Sequence, residues 1–251
     1  MTQEAFFDVD RFDPDALLED LRAMIWNGYM SIPRHNQVEL GPSEIGDGCA
    51  RKLAYLTFAK EHGKPNFVDP LPSLTGTALH TIFDEFAGQM NEKLGWNRWE
   101  HEREVFPAEG FHGHCDLYDH ETKTVVDWKN LGKASSDKML KNGPRGTYRG
   151  QLHTYGLGYE RAGFEVKNVA ICVMPVGSLL RYSHLWSEPY DRQLALDTID
   201  RYHQIIALSD QLQVVEHPER FALIPHTPSE DSCQYCPFKS AEPGPYNCPG
   251  K

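Results

Sequence analysis

Residues 113–129 read GHCDLYDHETKTVVDWK, two short apolar segments separated by a polar turn. The first, around Cys115-Asp116-Leu117-Tyr118, has the look of a strand. The second, Thr124-Val125-Val126-Asp127-Trp128-Lys129, is a stronger strand signal because it is β-branched and aromatic. Residues 119–123 supply the polar hairpin turn. Alternation along the second strand sends Val125, Asp127 and Lys129 to one face and Val126 and Trp128 to the other. Asp116 comes up from the neighbouring strand. Two carboxylates and an ammonium converging at a sheet edge are costly to bury unless something compensates them. A divalent cation does so, and Mg²⁺ and Mn²⁺ favour carboxylate and water oxygens. Taken alone, the stretch is equally well a surface hairpin with solvated charges.

Working outward, a clear helical pattern precedes the hairpin over residues 74–90. Leu79, Ile82, Phe83, Phe86 and Met90 form an apolar stripe, and His80 lies beside it. Residues 100–107 are expected to open a three-strand meander. Residues 131–146, mostly polar with three glycines, suggest a mobile segment around a short helix. A helix follows over 147–162, with Gln151 and Tyr155 four apart on one face. Residues 166–176 are a strongly apolar strand, and 179–186 alternate and can pair with it. Residues 190–212 read as a long helix. Near the start, residues 14–26 are helical in pattern, with Asp13 as cap and Pro14 at the first position. An irregular link is expected after Ile32-Pro33, a short helix capped by Ser43, and a linker over 65–72.

The 251 residues are 40% hydrophobic and 24% charged, ordinary for a soluble globular protein. No run is long and apolar enough to span a membrane, and the acidic start MTQEAFFDVD is no secretory signal, which points to the cytoplasm. The net charge of −11 argues against a general nucleic-acid coat. Its distribution is uneven, however. Residues 123–149 hold seven Lys or Arg against Asp127 and Asp137, where a phosphate backbone could lie beside the hairpin. A solvated basic loop is the plainer reading.

Asp116, ten intervening residues and Asp127-Trp128-Lys129 resemble the PD-(D/E)XK nuclease signature. Four motifs in order narrow the likeness to the RecB-like branch: Gly76 to His80 as GxxxH, Gly113 to Asp116 as GxxD, Asp127 to Lys129 as DxK, and Gln151 to Tyr155 as QxxxY. The resemblance implies an α/β fold with an αβββαβ core, a mixed sheet flanked by helices, over residues 74–187. A helical region (1–73) precedes that core, and a long helix with a cysteine-bearing tail (188–251) follows it. It also implies metal-dependent hydrolysis of DNA phosphodiesters. Mg²⁺ or Mn²⁺ would be held by His80, Asp116, Asp127 and the backbone carbonyl of Trp128. Lys129 would orient water and offset phosphoryl charge, and Gln151 and Tyr155 would position the strand. The expected substrate is DNA that is single-stranded or bears an end, in recombination, repair or spacer capture, for a cellular or phage-borne enzyme. The alternatives are a structure-specific endonuclease on the same core and a non-catalytic, cluster-bearing DNA-binding adaptor. No P-loop pattern is present, so unwinding would fall to a helicase or recombination partner. A ring-shaped oligomer would serve processivity.

Six cysteines in such a chain are not expected to form disulfides. Cys115 and Cys172 sit in apolar strands as buried small residues. Cys233-Gln234-Tyr235-Cys236 is a CxxC, Cys248 follows, and Cys49 stands before the core. Such a set can hold zinc, an iron–sulfur cluster or a redox pair. One cysteine before the core and three after resemble the iron–sulfur nucleases of the AddB and CRISPR-associated RecB-like group. That resemblance implies a 4Fe-4S cluster on Cys49, Cys233, Cys236 and Cys248, with zinc as the other occupant. The proline-rich tail has little periodic structure and calls for such an external cross-link. Eleven residues separate Cys236 from Cys248, longer than that group's usual gap.

Overall fold

The computed structural model describes residues 13–31, 40–64 and 69–250. The acidic first residues, the link after Ile32-Pro33 and residues 65–68 of the expected linker lie outside them. Helix α1 (Pro14–Met30) begins as its sequence dictates. Asp13 Oδ1 accepts the backbone N–H groups of Asp15 at 2.9 Å and Ala16 at 3.1 Å. Its apolar stripe, Leu17, Leu18, Leu21, Met24 and Ile25, stays exposed. Two short helices follow, α2 (Pro42–Ile45), capped by Gly41 rather than Ser43, and α3 (Ala50–Phe58), which starts right after Cys49.

The core runs α4 (Leu71–Leu94), β1 (Trp99–Ala108), β2 (Phe111–Asp119), β3 (Thr124–Leu131), α5 (Lys133–Asn142), α6 (Gly146–Arg161) and β4 (Asn168–Pro175). This is the expected αβββαβ order, with α5 occupying the segment expected to be mobile. A further strand, β5 (His184–Pro189), pairs antiparallel with β4, starting five residues later than the alternation suggests because a 3-10 turn takes Leu180–Tyr182. The sheet order is β1-β2-β3-β4-β5. β1, β2 and β3 form an antiparallel meander, while β3 and β4 are parallel. A parallel pair needs a crossover, and α5 with α6 supplies it. Buried on both faces, β3 and β4 carry the near-continuous apolar runs that such strands require.

Helix α6 covers one face. Gly150 through Tyr159 are all buried, although four glycines between Gly146 and Gly158 weaken its intrinsic propensity. The glycines are there for closeness. A Cβ on Gly158 would stand 2.7 Å from Val105 Cβ, and one on Gly150 would stand 2.9 Å from the Gly46 backbone. Helix α4 covers the other face, where Ala87, Leu117, Val126 and Ala170 form a small core. The chain closes with α7 (Arg192–Gln211), a 3-10 segment (Pro218–Leu223) and α8 (Glu230–Cys233).

One irregularity in β2 matters for the site. Cys115 and Tyr118 both pack on the α6 side, whereas Leu117 packs on the α4 side. Strict alternation would keep 115 with 117. The strand therefore turns over at Asp116, and its pairing with β3 is confined to Leu117, Tyr118 and Asp119. Beyond that point β2 and β3 splay apart.

Candidate active site

The splay opens a cleft lined by His80 from α4, Glu102 from β1, Asp116 from β2, and Gln151 and Tyr155 from α6. His80 Nδ1 lies 3.1 Å from Asp116 Oδ1. The other Asp116 oxygen accepts the backbone N–H of Trp128 at 2.7 Å, bridging the gap where the β2–β3 ladder has stopped. Trp128 is held from behind by Phe83, edge to face at 5.2 Å. Next to this lies a second group. Lys129 Nζ stands 2.7 Å from Asp127 Oδ2. Gln151 Nε2 donates to Asp127 Oδ1 at 3.0 Å, and Gln151 Oε1 accepts from Lys129 Nζ at 3.3 Å. The residues of all four sequence motifs thus meet at one place.

Glu102 is the residue that sequence reasoning left unassigned. Its ligand oxygen, one from Asp116 and a His80 nitrogen all lie within 4.8 Å of one another. The β1–β2 register puts His101 opposite Leu117 and Arg103 opposite Cys115, so Glu102 faces Asp116. Its backbone takes φ +46°, a left-handed conformation that glutamate rarely adopts. The Glu109-Gly110 turn alone would set Glu102 opposite Leu117; a bulge between Val105 and Ala108 shifts the register by one and brings Asp116 there, so the pairing is visible only in the folded sheet.

The electrostatics follow from crowding. Burial raises the Glu102 carboxyl above its usual range, and Asp116 and Asp84 raise it further. The Asp127 carboxyl is pushed up to about 6, by burial first, against the pull of Lys129. Burial alone would lower Lys129, but the Asp127 carboxylate more than offsets this and keeps it an ammonium. The hydrogen bond to Asp116 raises His80. Burial drives the Tyr155 phenol well above its ordinary value, so it remains a proton donor. An imidazole and two carboxylates within reach of one point are a donor set that Mg²⁺ or Mn²⁺ fits. Asp127, expected as a ligand, is not part of that group; its Oδ2 is buried and, apart from the Lys129 charge, has no hydrogen-bond donor.

The cysteine expectation is corrected. Cys49, Cys233, Cys236 and Cys248 are buried around one small cavity. Among the described residues, however, only His80, Glu102 and Asp116 bring three candidate ligand atoms within 4.8 Å of one another, and no group of thiols does. Among the described residues there is therefore no cysteine-ligated 4Fe-4S or zinc site, and the candidate metal site is the His/Glu/Asp triad. What ties the tail down is packing. Tyr55 stacks on Phe221 at 4.5 Å and Phe238 at 4.6 Å, and its hydroxyl donates to the Pro245 carbonyl at 3.2 Å. Arg51 donates to the carbonyls of Ile224 and Ala222, and Lys52 and Ser232 meet on Asp47.

The basic stretch is also partly spoken for. Arg149 grips Glu188 with two nitrogens at 2.7 and 2.9 Å, and Lys133 pairs with Asp137. No helix among the described residues is long and apolar enough to cross a membrane.

This fold and site define a nuclease class. A model of the PD-(D/E)XK nuclease superfamily matches residues 48–241, and the chain belongs to that superfamily. Among solved structures it is similar to an alkaline exonuclease from Laribacter hongkongensis (LHK-Exo), at 13% identity and a TM-score of 0.38 over 50% of this chain and 62% of that one. The same enzyme in complex with dAMP aligns at 13% identity and 0.45, over 72% and 96% of the two chains. A phage related exonuclease from Haemophilus somnus 129PT aligns at 15% identity and 0.43, over 65% and 80%. No curated protein matches.

Proposed function

We propose that this protein is a Mg²⁺- or Mn²⁺-dependent DNA exonuclease of the RecB-like kind, cutting phosphodiester bonds at strand ends. The observation that carries the reading is the joining of the His80–Glu102–Asp116 triad to the Asp127–Lys129–Gln151 group through Asp116, in one cleft. His80, Glu102 and Asp116 would hold the cation, with Asp127 Oδ2 as a further ligand. A divalent ion bound there supplies Lewis-acid polarisation of the phosphate and a more acidic water. Lys129, kept charged by Asp127, faces the charge that develops on the phosphoryl oxygens. Gln151 holds Lys129 and Asp127 at a fixed separation, which lowers the reorganisation needed during reaction. Tyr155, protonated and one helical turn from Gln151, offers a hydrogen bond to a phosphate oxygen without competing for the metal.

The test uses end-labelled linear single- and double-stranded DNA beside supercoiled circles, with Mn²⁺, Mg²⁺ or EDTA. Short products should leave linear DNA only with metal, and circles should stay intact. Asp116→Ala and Lys129→Ala should each lower the rate at least about a hundred-fold. Nicked circles would favour the endonuclease reading. A folded protein that cuts nothing with either metal would overturn both.

A further inference from the structure

Tyr148 lies outside the four motifs, three residues before Gln151 and on the same side of α6. It is half-buried and packs against the core between α6 and the sheet. Its ring holds two cations. Lys129 Nζ lies 5.0 Å from the ring centre, and the Arg145 guanidinium carbon lies 4.2 Å from it. Arg145 Nη2 also donates to the Tyr148 hydroxyl. The two positive charges are therefore no farther apart than the sum of those two distances. Packing fixes the ring, and the ring fixes the cations. Each is attracted by the electron-rich face, but the two repel one another. Arg145, the residue that begins the 16-residue α6, also meets the partial positive charge at that end of the helix. Asp127 balances Lys129. Elsewhere in the basic stretch Glu188 balances Arg149 and Asp137 balances Lys133. Arg145 is exposed, and among the described residues its partner is Tyr148 and no carboxylate. In a chain with 36 Asp and Glu against 25 Lys and Arg, that is no shortage of carboxylates. What the position lacks is an anion from outside the chain.

We propose that Tyr148 is a positioning residue of the active site, and that it presents Arg145 to the DNA phosphate next to the one that Lys129 faces. Successive phosphates of one strand are the anions that two cations held on a single ring would meet. A guanidinium engages two oxygens of a phosphate with its planar fork, which an ammonium does not. A phosphate bound there also removes the repulsion between Arg145 and Lys129. Lys129 then attends the reacting group, while Arg145 fixes the register of the strand beside it. A phosphate contact carries no sequence information, so the pair orients any DNA strand. The proposal rests on the nuclease reading and deepens it by naming a strand-positioning pair outside the motifs.

Binding and cleavage are read separately, with the full chain. In EDTA, with a fluorescent single-stranded oligonucleotide, Arg145→Gln should lower the slope of log affinity against log salt by about 0.7, the value for one phosphate contact on a single strand. Tyr148→Leu, which takes the ring from both cations, should lower the slope equally. Tyr148→Phe keeps the ring and should keep the wild-type slope. With Mn²⁺ and linear DNA, Arg145→Gln should slow release of the first product about ten-fold. On DNA with one uncharged methylphosphonate at the second linkage, tested from either end, that difference should vanish from the end that is cut. Equal salt slopes in the wild type and Arg145→Gln, both folded by circular dichroism, would overturn the phosphate contact. The nuclease reading would survive that result if the wild type still cut and Lys129→Ala did not. A Tyr148→Phe as impaired as Tyr148→Leu would overturn the role of the ring. A ten-fold difference that persists on methylphosphonate DNA from both ends would overturn the choice of phosphate. A wild type that neither binds nor cuts any DNA would defeat the nuclease reading and this proposal with it.

Discussion

Glu102 concentrates the chemistry of the site in one residue. Its φ of +46° costs about 1–3 kcal/mol, and its carboxyl is set against two others. Both penalties are what a cation would offset. In metal-free protein the carboxyl titrates above 4.5, its ordinary value. A group raised in this way contributes stability that is complete below the unfolded pKa and lost as pH rises through the folded one. The metal-free protein should therefore lose stability from this residue as pH rises above 4.5 and through its raised folded value. Glu102→Gln should raise the metal-free Tm at neutral pH. It should also remove the Tm increase that Mn²⁺ gives the wild type and slow cleavage about a hundred-fold or more. Scanning calorimetry with and without Mn²⁺ checks the first two, and the end-label assay checks the third.

Among the elements, α6 does the most positioning. It carries Gln151 and Tyr155 on the face toward the sheet, and Gly158 lets it lie against β1. Gly158→Ala would improve helix propensity, yet its Cβ would press on Val105 at 2.7 Å. The clash should outweigh the gain and destabilise the fold by about 1–3 kcal/mol. A urea melt measures this. Position along the sheet is fixed by a buried contact at the other side of α6. His153, fully buried, accepts the Asp191 N–H on Nδ1 at 3.0 Å, so its Nε2 carries the proton and donates to Glu188 at 2.8 Å. Glu188 is burdened by burial but held below its ordinary range by Arg149 and His153. A depressed carboxyl gives stability present above its unfolded pKa and lost as pH falls through the folded one. Glu188→Gln should therefore cost about 1 kcal/mol at pH 7, since water screens the partly exposed Arg149. The difference from the wild type should shrink below about pH 4, which melts at both pH values will show.

Across the whole molecule, the tail is held by the aromatic stack on Tyr55, 1% exposed between Phe221 and Phe238. Tyr55→Ala should cost about 3–5 kcal/mol of local packing and expose the chain beyond Ile224 to limited proteolysis before the sheet opens. What was legible in the sequence was local in its physics. Two-residue alternation placed Asp127 and Lys129 on one face, a four-residue interval placed Gln151 with Tyr155, and the Asp13 cap started α1. The order of the motifs was enough to indicate the core. The residues the sequence could not place depend on contacts far apart in the chain. Glu102 joins the site because β2 turns over at Asp116 and leaves its two neighbours in register. Arg149 is drawn from the basic stretch to Glu188, thirty-nine positions away. Four cysteines with ligand-like spacing gather at one cavity without closing to ligating distance. Spacing along a chain sets which side chains share a face, but separations of a few ångströms between distant segments are set only when the core packs.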